Sequence, residues 1–271
     1  VAIKPDEKEI CMLKETAKKF SSSLAAELKK ARLYATVFIG GSVAKGTIIK
    51  KDRYDVDIFV RFSRRYRKKD ALLADMLERP LRRVAKKFNA EIRRLEGSRD
   101  YFATSSKGIF FEIVPVLAIK KASEARNITD VSTLHVNYVR KKILARPQLA
   151  DQIRLLKAFC HAQGCYGAES HIRGFSGYVL EVLTIYYGSF LSLLRAASAW
   201  SLGKKVIIDP ARHYKRKNVL LELNEAKLQS PLVLIDPVQA DRNAAAALSN
   251  EKFSLFVAAC RAFLKTPRED F

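Results

Sequence analysis

The sequence predicts an α+β fold, a small mixed sheet backed by helices and followed by a mainly helical region, and three observations carry that prediction. Strand-like apolar runs cluster between residues 35 and 117, helical periodicity dominates from about residue 129, and the polar stretch Lys120 to Asp130 separates the two. The expected domains are therefore 1–128 and 129–271. With 271 residues and 48% hydrophobic content, the chain has apolar material for two cores.

Taken in order, Glu7 to Arg32 places Ile10, Leu13, Ala17, Phe20, Leu24 and Leu28 at helical spacing and predicts an N-terminal helix. Ala35-Thr36-Val37-Phe38-Ile39 follows as a strand and runs into Gly40-Gly41-Ser42. After a polar loop, Asp55 to Val60 reads as a second strand. The next stretch, Arg61 to Lys69, is basic with aromatics interleaved, a pattern of either a solvated loop or a grip on RNA phosphates. Residues 70–88 read as a helix bent or broken at Pro80, and strands are expected at 90–95, 100–104 and 109–117. In the second region, helices are expected near 130–145, 149–163, 174–187, 189–201 and 250–264. There, 206–208 and 232–235 look like strands.

The chemistry starts from carboxylates. Side chains alternate along a strand, so Asp55 and Asp57 project the same way, ~7 Å apart, and can share a metal. Glu112 sits inside the apolar run Ile109 to Val116, where an acid is costly unless it is paired or ligates a cation. Each feature alone is commonplace: Gly-Gly-Ser is usually a turn, and Asp-x-Asp often merely opens a strand. Their order, strand to Gly-Gly-Ser to Asp-x-Asp strand, assembles a phosphate cradle beside a set of hard oxygen ligands suited to Mg²⁺. That combination points to nucleotidyl transfer.

The formal net charge is +22, with 30 Lys and Arg against 17 Asp and Glu in residues 1–130 and 20 against 11 thereafter. An excess spread over both halves suits a long polyanion, nucleic acid being the simplest. Cys11, Cys160, Cys165 and Cys260 lack metal-ligand spacing and read as core thiols in a reducing compartment. No apolar run reaches the ~20 residues of a membrane span, and the charged start is unlike a signal peptide, so the expected location is cytoplasmic, with no membrane partner.

The second half carries a narrower signal. Arg154-Leu155-Leu156-Lys157, Tyr166-Gly167-Ala168-Glu169, Gly174-Phe175-Ser176-Gly177-Tyr178 and Tyr187-Gly188-Ser189-Phe190 resemble, in the same order, the archaeal-type (class I) CCA-adding tRNA nucleotidyltransferases. Asp236-Pro237-Val238, Asp241-Arg242-Asn243 and Phe263-Leu264-Lys265 continue the resemblance. With the Gly-Gly-Ser and Asp-x-Asp elements, it covers residues 35–271. The first-half elements are shared across the polymerase-beta-like superfamily.

The resemblance implies a polymerase-beta-like catalytic head followed by a helical neck. It implies template-independent addition of C, C and A to the 3′ end of tRNA or a tRNA-like RNA from CTP and ATP. By position, Asp55, Asp57 and Glu112 match the catalytic, metal-binding carboxylates, which implies Mg²⁺, two ions, as cofactor. Gly41, Ser42, Ser132, His135, Lys157 and Tyr166 match triphosphate contacts, and Arg242 a base-reading arginine. Two departures stand out. The third carboxylate is usually Asp in the family, whereas Glu112 is longer by one methylene. Family members also continue past the segment resembling Phe263 to Phe271 into body and tail domains; the open alternatives are a longer natural chain, a homodimer or partner chain in their place, and a smaller RNA substrate that needs none of them. The alternatives are a nucleotidyltransferase making oligoadenylate or another RNA tail, and an inactive RNA-binding subunit.

Overall fold

The computed structural model describes residues 3–201, 203–215 and 217–268. Residues Lys4–Arg140 form one compact unit, and the chain from Lys141 onward forms a second.

The first unit opens with α1 (Glu7–Lys30), started by a capping box in which Glu9 N–H donates to Asp6 and Asp6 N–H to Glu9. Then follow β1 (Ala35–Ile39), the short α2 (Gly41–Lys45), β2 (Tyr54–Phe62), a 3₁₀ segment at Arg64–Leu72, α3 (Leu73–Lys87), β3 (Ile92–Leu95), β4 (Tyr101–Ser106) and β5 (Ile109–Leu117). The strands form one mixed sheet in the order β1-β2-β5-β4-β3. Its central pair, β2 and β5, is parallel and its other pairs antiparallel.

Alternation along β2 buries Tyr54, Val56, Ile58, Val60 and Phe62 on one face, with Phe111 and Ile113 of β5 beside Val56 and Ile58. α1 contributes Leu13, Ala17, Phe20 and Leu24 to this core, and Phe20 stacks on Phe111 with ring centroids 4.7 Å apart. Each such ring or aliphatic chain contributes roughly 1.5–3 kcal/mol on burial. The opposite sheet face carries Asp55, Asp57 and Glu112.

Two polar ties fix the helices to the sheet's surroundings. Glu27 of α1 is buried and accepts from Lys87 of α3 at 2.7 Å and from Lys30 at 3.2 Å, which lowers its pKa. Buried Asp130 accepts from the backbone N–H groups of Leu117, Arg126 and Asn127 and from Arg99 Nη1 at 2.5 Å. The polar stretch after β5 is thus folded into two 3₁₀ turns, Ala122–Glu124 and Ile128–Val131, that lead into α4 (Ser132–Ala145). The division between the compact units falls inside α4.

α3 runs through Pro80 without interruption. The missing N–H weakens the helix there, but Pro80 is buried along with Leu73, Leu77, Leu81 and Val84, and burial of that face holds the helix together.

The second unit contains α5 (Leu149–Ala162), α6 (Gly177–Tyr187), α7 (Phe190–Ser198), β6 (Val206–Ile208), α8 (Val219–Glu222), β7 (Leu232–Asp236), β8 (Gln239–Asn243) and α9 (Asn250–Lys265). α6 starts at Gly177, rather than near 174, because the Ser176 hydroxyl caps it by accepting from Val179 N–H. Its core is aromatic: Phe159 meets Phe190, Phe256 and Phe263 edge-on, and Trp200 stacks on Phe253. β6, β7 and β8 form a three-stranded sheet. β8 was invisible to hydrophobic patterning because it is a polar strand, Gln-Ala-Asp-Arg-Asn, held by pairing across a tight turn to the buried β7. Residues 269–271 of the expected neck lie outside the described residues.

Cys160, Cys165 and Cys260 are buried, and burial raises the Cys160 and Cys260 thiol pKa values, so they behave as core thiols. Cys11 departs from the expectation, since it is exposed on α1. No single described helix is long and apolar enough to cross a membrane.

Candidate active site

The register of the central strands builds the acidic face. Asp57 of β2 lies directly opposite Glu112 of β5, and Asp55 opposite Phe110, so paired positions place Asp57 and Glu112 side by side with Asp55 two residues along. Asp55 is more than half exposed and pairs with Lys51 at 3.6 Å. The charge of Glu112 reaches Tyr101, whose phenol pKa is raised first by burial and second by that carboxylate. Tyr101 was absent from the sequence-derived candidates, because its proximity depends on the pairing of β4 with β5.

Gly40 and Gly41 close the turn against β2. Gly40 N–H donates to the Asp57 carbonyl at 2.8 Å, extending the β1–β2 ladder by one bond. Gly41 has φ +58°, and a Cβ there would overlap Asp57 Oδ2; a Cβ at Gly40 would overlap the Phe59 ring. The glycines therefore let the turn lie on the acidic strand itself. Ser42 follows in the first turn of α2, where backbone N–H groups have no acceptor within the helix.

The donor set is oxygen-only, as Mg²⁺ prefers. As the side chains stand, no three described His, Cys, Asp or Glu residues surround one point that a cation could occupy. The backbone register nevertheless puts all three carboxylates on one face of the sheet.

Ser132 and His135 lie on the first turn of α4, half-buried, in the same compact unit as the carboxylates. The neighbouring Val136 anchors that turn on Phe59 and Val116 of the sheet.

Lys157, Tyr166 and Arg242 belong to the second unit. Lys157 is 4% exposed, unlike the solvated charge that its amphipathic helix suggests, and its Nζ lies 2.8 Å from buried Glu181. A Cβ at Gly177 would sit 2.9 Å from the Tyr166 hydroxyl and 3.8 Å from Lys157 Nζ, so these three groups converge at the start of α6. His161 stacks on the Tyr166 ring at 3.8 Å. Arg242 of β8 donates to Asp236 Oδ2 at 2.5 Å, while Asp236 Oδ1 accepts from the Tyr178 hydroxyl and from Val238 N–H. Glu181 and His161 carried no signal in the sequence, and Tyr178 and Asp236 stood there only within the family-like motifs, without a role. Glu181, His161 and Asp236 gain their places by pairing with Lys157, Tyr166 and Arg242, and Tyr178 by donating to Asp236.

Comparison with known proteins adds three findings. A family model described as tRNA nucleotidyltransferase, second domain, matches residues 151–271. The CCA-adding enzyme of Nanoarchaeum equitans is 40% identical over 245 residues, covering 90% of this chain and 59% of that protein. Those of Methanosarcina mazei and Pyrobaculum aerophilum are 35% and 34% identical, covering 92% and 97% of this chain and 52% and 58% of theirs. The chain thus spans half to three-fifths of the length of these curated relatives. Among solved structures, Cid1 poly(U) polymerase with Mg 3′-dATP bound superposes with a TM-score of 0.75 at 11% identity, covering 98% of this chain and 92% of that one. CdnC of E. coli MS115-1 with ATP superposes at 0.66 and 17% identity, covering 98% and 90%. At these identities the likeness is one of fold, the polymerase-beta-like nucleotidyltransferase fold.

Proposed function

We propose that this chain, 34–40% identical to archaeal CCA-adding enzymes over most of its length, is a member of their nucleotidyltransferase family and adds C, C and A to the 3′ end of tRNA or a tRNA-like RNA, taking CTP and ATP without a nucleic-acid template. The observation that carries this reading is the register of Asp57 opposite Glu112, with Asp55 two residues away and Gly41 lying against Asp57. In the reaction the RNA 3′-oxygen bonds to the α-phosphorus, the bond from that phosphorus to the β-phosphate oxygen breaks, pyrophosphate leaves and the hydroxyl proton passes to solvent.

On this reading Asp55, Asp57 and Glu112 hold Mg²⁺, two ions in all. When bound, the metal lowers the pKa of the attacking hydroxyl and neutralises charge on the leaving pyrophosphate. Gly41 and Ser42 offer backbone N–H groups to phosphate oxygens at the first turn of α2. Lys157 supplies a point charge, oriented by Glu181, and Tyr166, Ser132 and His135 supply hydrogen-bond donors. Arg242 presents donors to acceptors on the Watson–Crick edge of C or A, with Asp236 fixing its guanidinium. Residues 1–128 then act as the catalytic head and 129–271 as the nucleotide- and RNA-binding neck. The unpaired cysteines and a tRNA substrate fit a cytoplasmic enzyme.

The test supplies Mg²⁺ and a tRNA transcript lacking its CCA end, with each NTP separately and then CTP with ATP, beside an Asp55→Ala/Asp57→Ala control. Extension by C, C and A that vanishes in the control is expected. Polymerisation of ATP without tRNA would point to oligoadenylate synthesis, and binding without extension to an RNA-binding subunit; either outcome sinks the proposal.

A further inference from the structure

At the other end of the acidic sheet face, within the first compact unit, lies a cavity of about 550 Å³ whose polar lining comprises Tyr34, Thr36, Arg61, Ser63, Arg64 and Lys120. Asp55, Asp57, Phe59 and Arg61 alternate onto the same side of β2, and Thr36 of β1 is the register partner of Arg61. Arg61 lies four positions beyond Asp57, ~13 Å along the strand. Between them Phe59, Val116 and Val136 form an apolar cluster with Phe38 and Val114. The cavity is thereby a site apart from the carboxylates.

Its chemistry is that of an anion receptor. Three cationic side chains line it, and no lining residue is acidic. One neighbouring acid, Glu124, offsets part of that charge by pairing with Arg64 at 2.9 Å and accepting from Lys120 N–H at 2.8 Å. Arg61 lies over the Phe38 ring, and its Nε is buried without a hydrogen-bond partner among the described residues. With Glu124 offsetting one of them, the three cations leave the cavity net positive and suited to a phosphate group. Beside it the Tyr34 ring is 58% exposed, with the Arg65 guanidinium 3.5 Å from its centroid. Beyond the cavity, exposed Arg65, Arg67, Lys68 and Lys69 continue the positive surface. That track is longer than one phosphate needs, which favours a polymer over a mononucleotide.

We propose that this cavity docks one nucleotide of a single-stranded RNA segment, its phosphate received by Arg61, Arg64 and Lys120 and its base set against the Tyr34–Arg65 stack. The identity of the polymer rests on the RNA-extending function proposed above; the anion site itself rests on the cavity.

The test measures binding of a fluorescein-labelled oligocytidine strand to the full chain by anisotropy, over a series of KCl concentrations and without NTP. Arg61→Gln/Arg64→Gln/Lys120→Gln is compared with Lys14→Gln/Lys18→Gln/Lys19→Gln, which removes equal charge from the exposed side of α1. The cavity variant is expected to bind at least about 30-fold more weakly and to lower the slope of log K against log salt by about 0.7, the value for one neutralised phosphate. The α1 variant is expected to change affinity by less than about threefold. Tyr34→Ala is expected to weaken binding by about fivefold or more with the slope unchanged. If Arg61 proves necessary for folding, judged by the thermal midpoint, Arg64→Gln/Lys120→Gln at exposed positions is expected to weaken binding at least about tenfold and to lower the slope by about 0.7. Equal losses in both triple variants, no loss in the cavity variants, or displacement of the strand by millimolar CMP would overturn the proposal. Because no turnover enters the readout, failure here leaves nucleotidyl transfer standing, and failure of transfer leaves a positive binding result standing.

Discussion

Gly41 shows how one residue joins two segments distant in sequence. Its left-handed φ and its contact with Asp57 both exclude a side chain, so Gly41→Ala forces either the turn or the carboxylate to move. A displacement of ~1 Å at a reacting group costs on the order of 100-fold in rate. Steady-state extension of the CCA-less transcript is therefore expected to fall by about that factor, while the circular dichroism spectrum stays that of the parent. A fall of less than about fivefold would detach Gly41 from the site. Buried Glu181 makes a second prediction. With its carboxylate removed, buried Lys157 loses this partner, and breaking a buried pair by removing one member costs roughly 3–5 kcal/mol. Glu181→Ala should lower the urea midpoint of the second unit accordingly, and Lys157→Met/Glu181→Leu should recover much of the loss. The carboxylates and Lys157 were legible as residue types; Glu181 and Tyr101 were not, because nothing local ties them to a site.

Among elements, the α1–α3 tie through Glu27 has a pH signature. Lys87 and Lys30 hold the Glu27 pKa below its ordinary value. A carboxylate lowered in the folded state stabilises fully above its unfolded pKa, and that stability is lost as pH falls through the folded value. Glu27→Gln should consequently destabilise the protein at neutral pH and flatten the acid limb of its thermal midpoint between about pH 5 and 3, following the usual carboxylate range. A parallel shift at every pH would assign the effect to packing instead. Elements with strong periodicity, such as α1, β2, β5 and α9, were readable from the sequence because a buried face imposes its period on it. β8 and the short α2 were not. A two-turn-residue hairpin edge and a single helical turn are held by pairing and by glycine geometry, neither of which leaves a hydrophobic pattern.

For the whole molecule, the +22 charge makes salt the main control on RNA affinity. A strand engaging 6–10 phosphates is expected to bind about 10³- to 10⁵-fold more weakly at 200 mM than at 50 mM salt, measured by anisotropy with the CCA-less transcript. Asp55→Ala/Asp57→Ala should abolish extension while leaving that affinity equal to or above the parent's, since it removes negative charge alone. Weaker binding by the double variant would mean that the carboxylates hold the fold together. Fold class, the acidic pair with its glycine turn, the basic balance and the family resemblance were legible in the chain, because periodicity, spacing and motif order are one-dimensional properties. The tertiary structure alone decided that Glu112 stands opposite Asp57, that Lys157 is buried on Glu181, and that Arg61, Arg64 and Lys120 share a cavity. These pairings join residues far apart in the chain, and only strand register and packing select which of them meet.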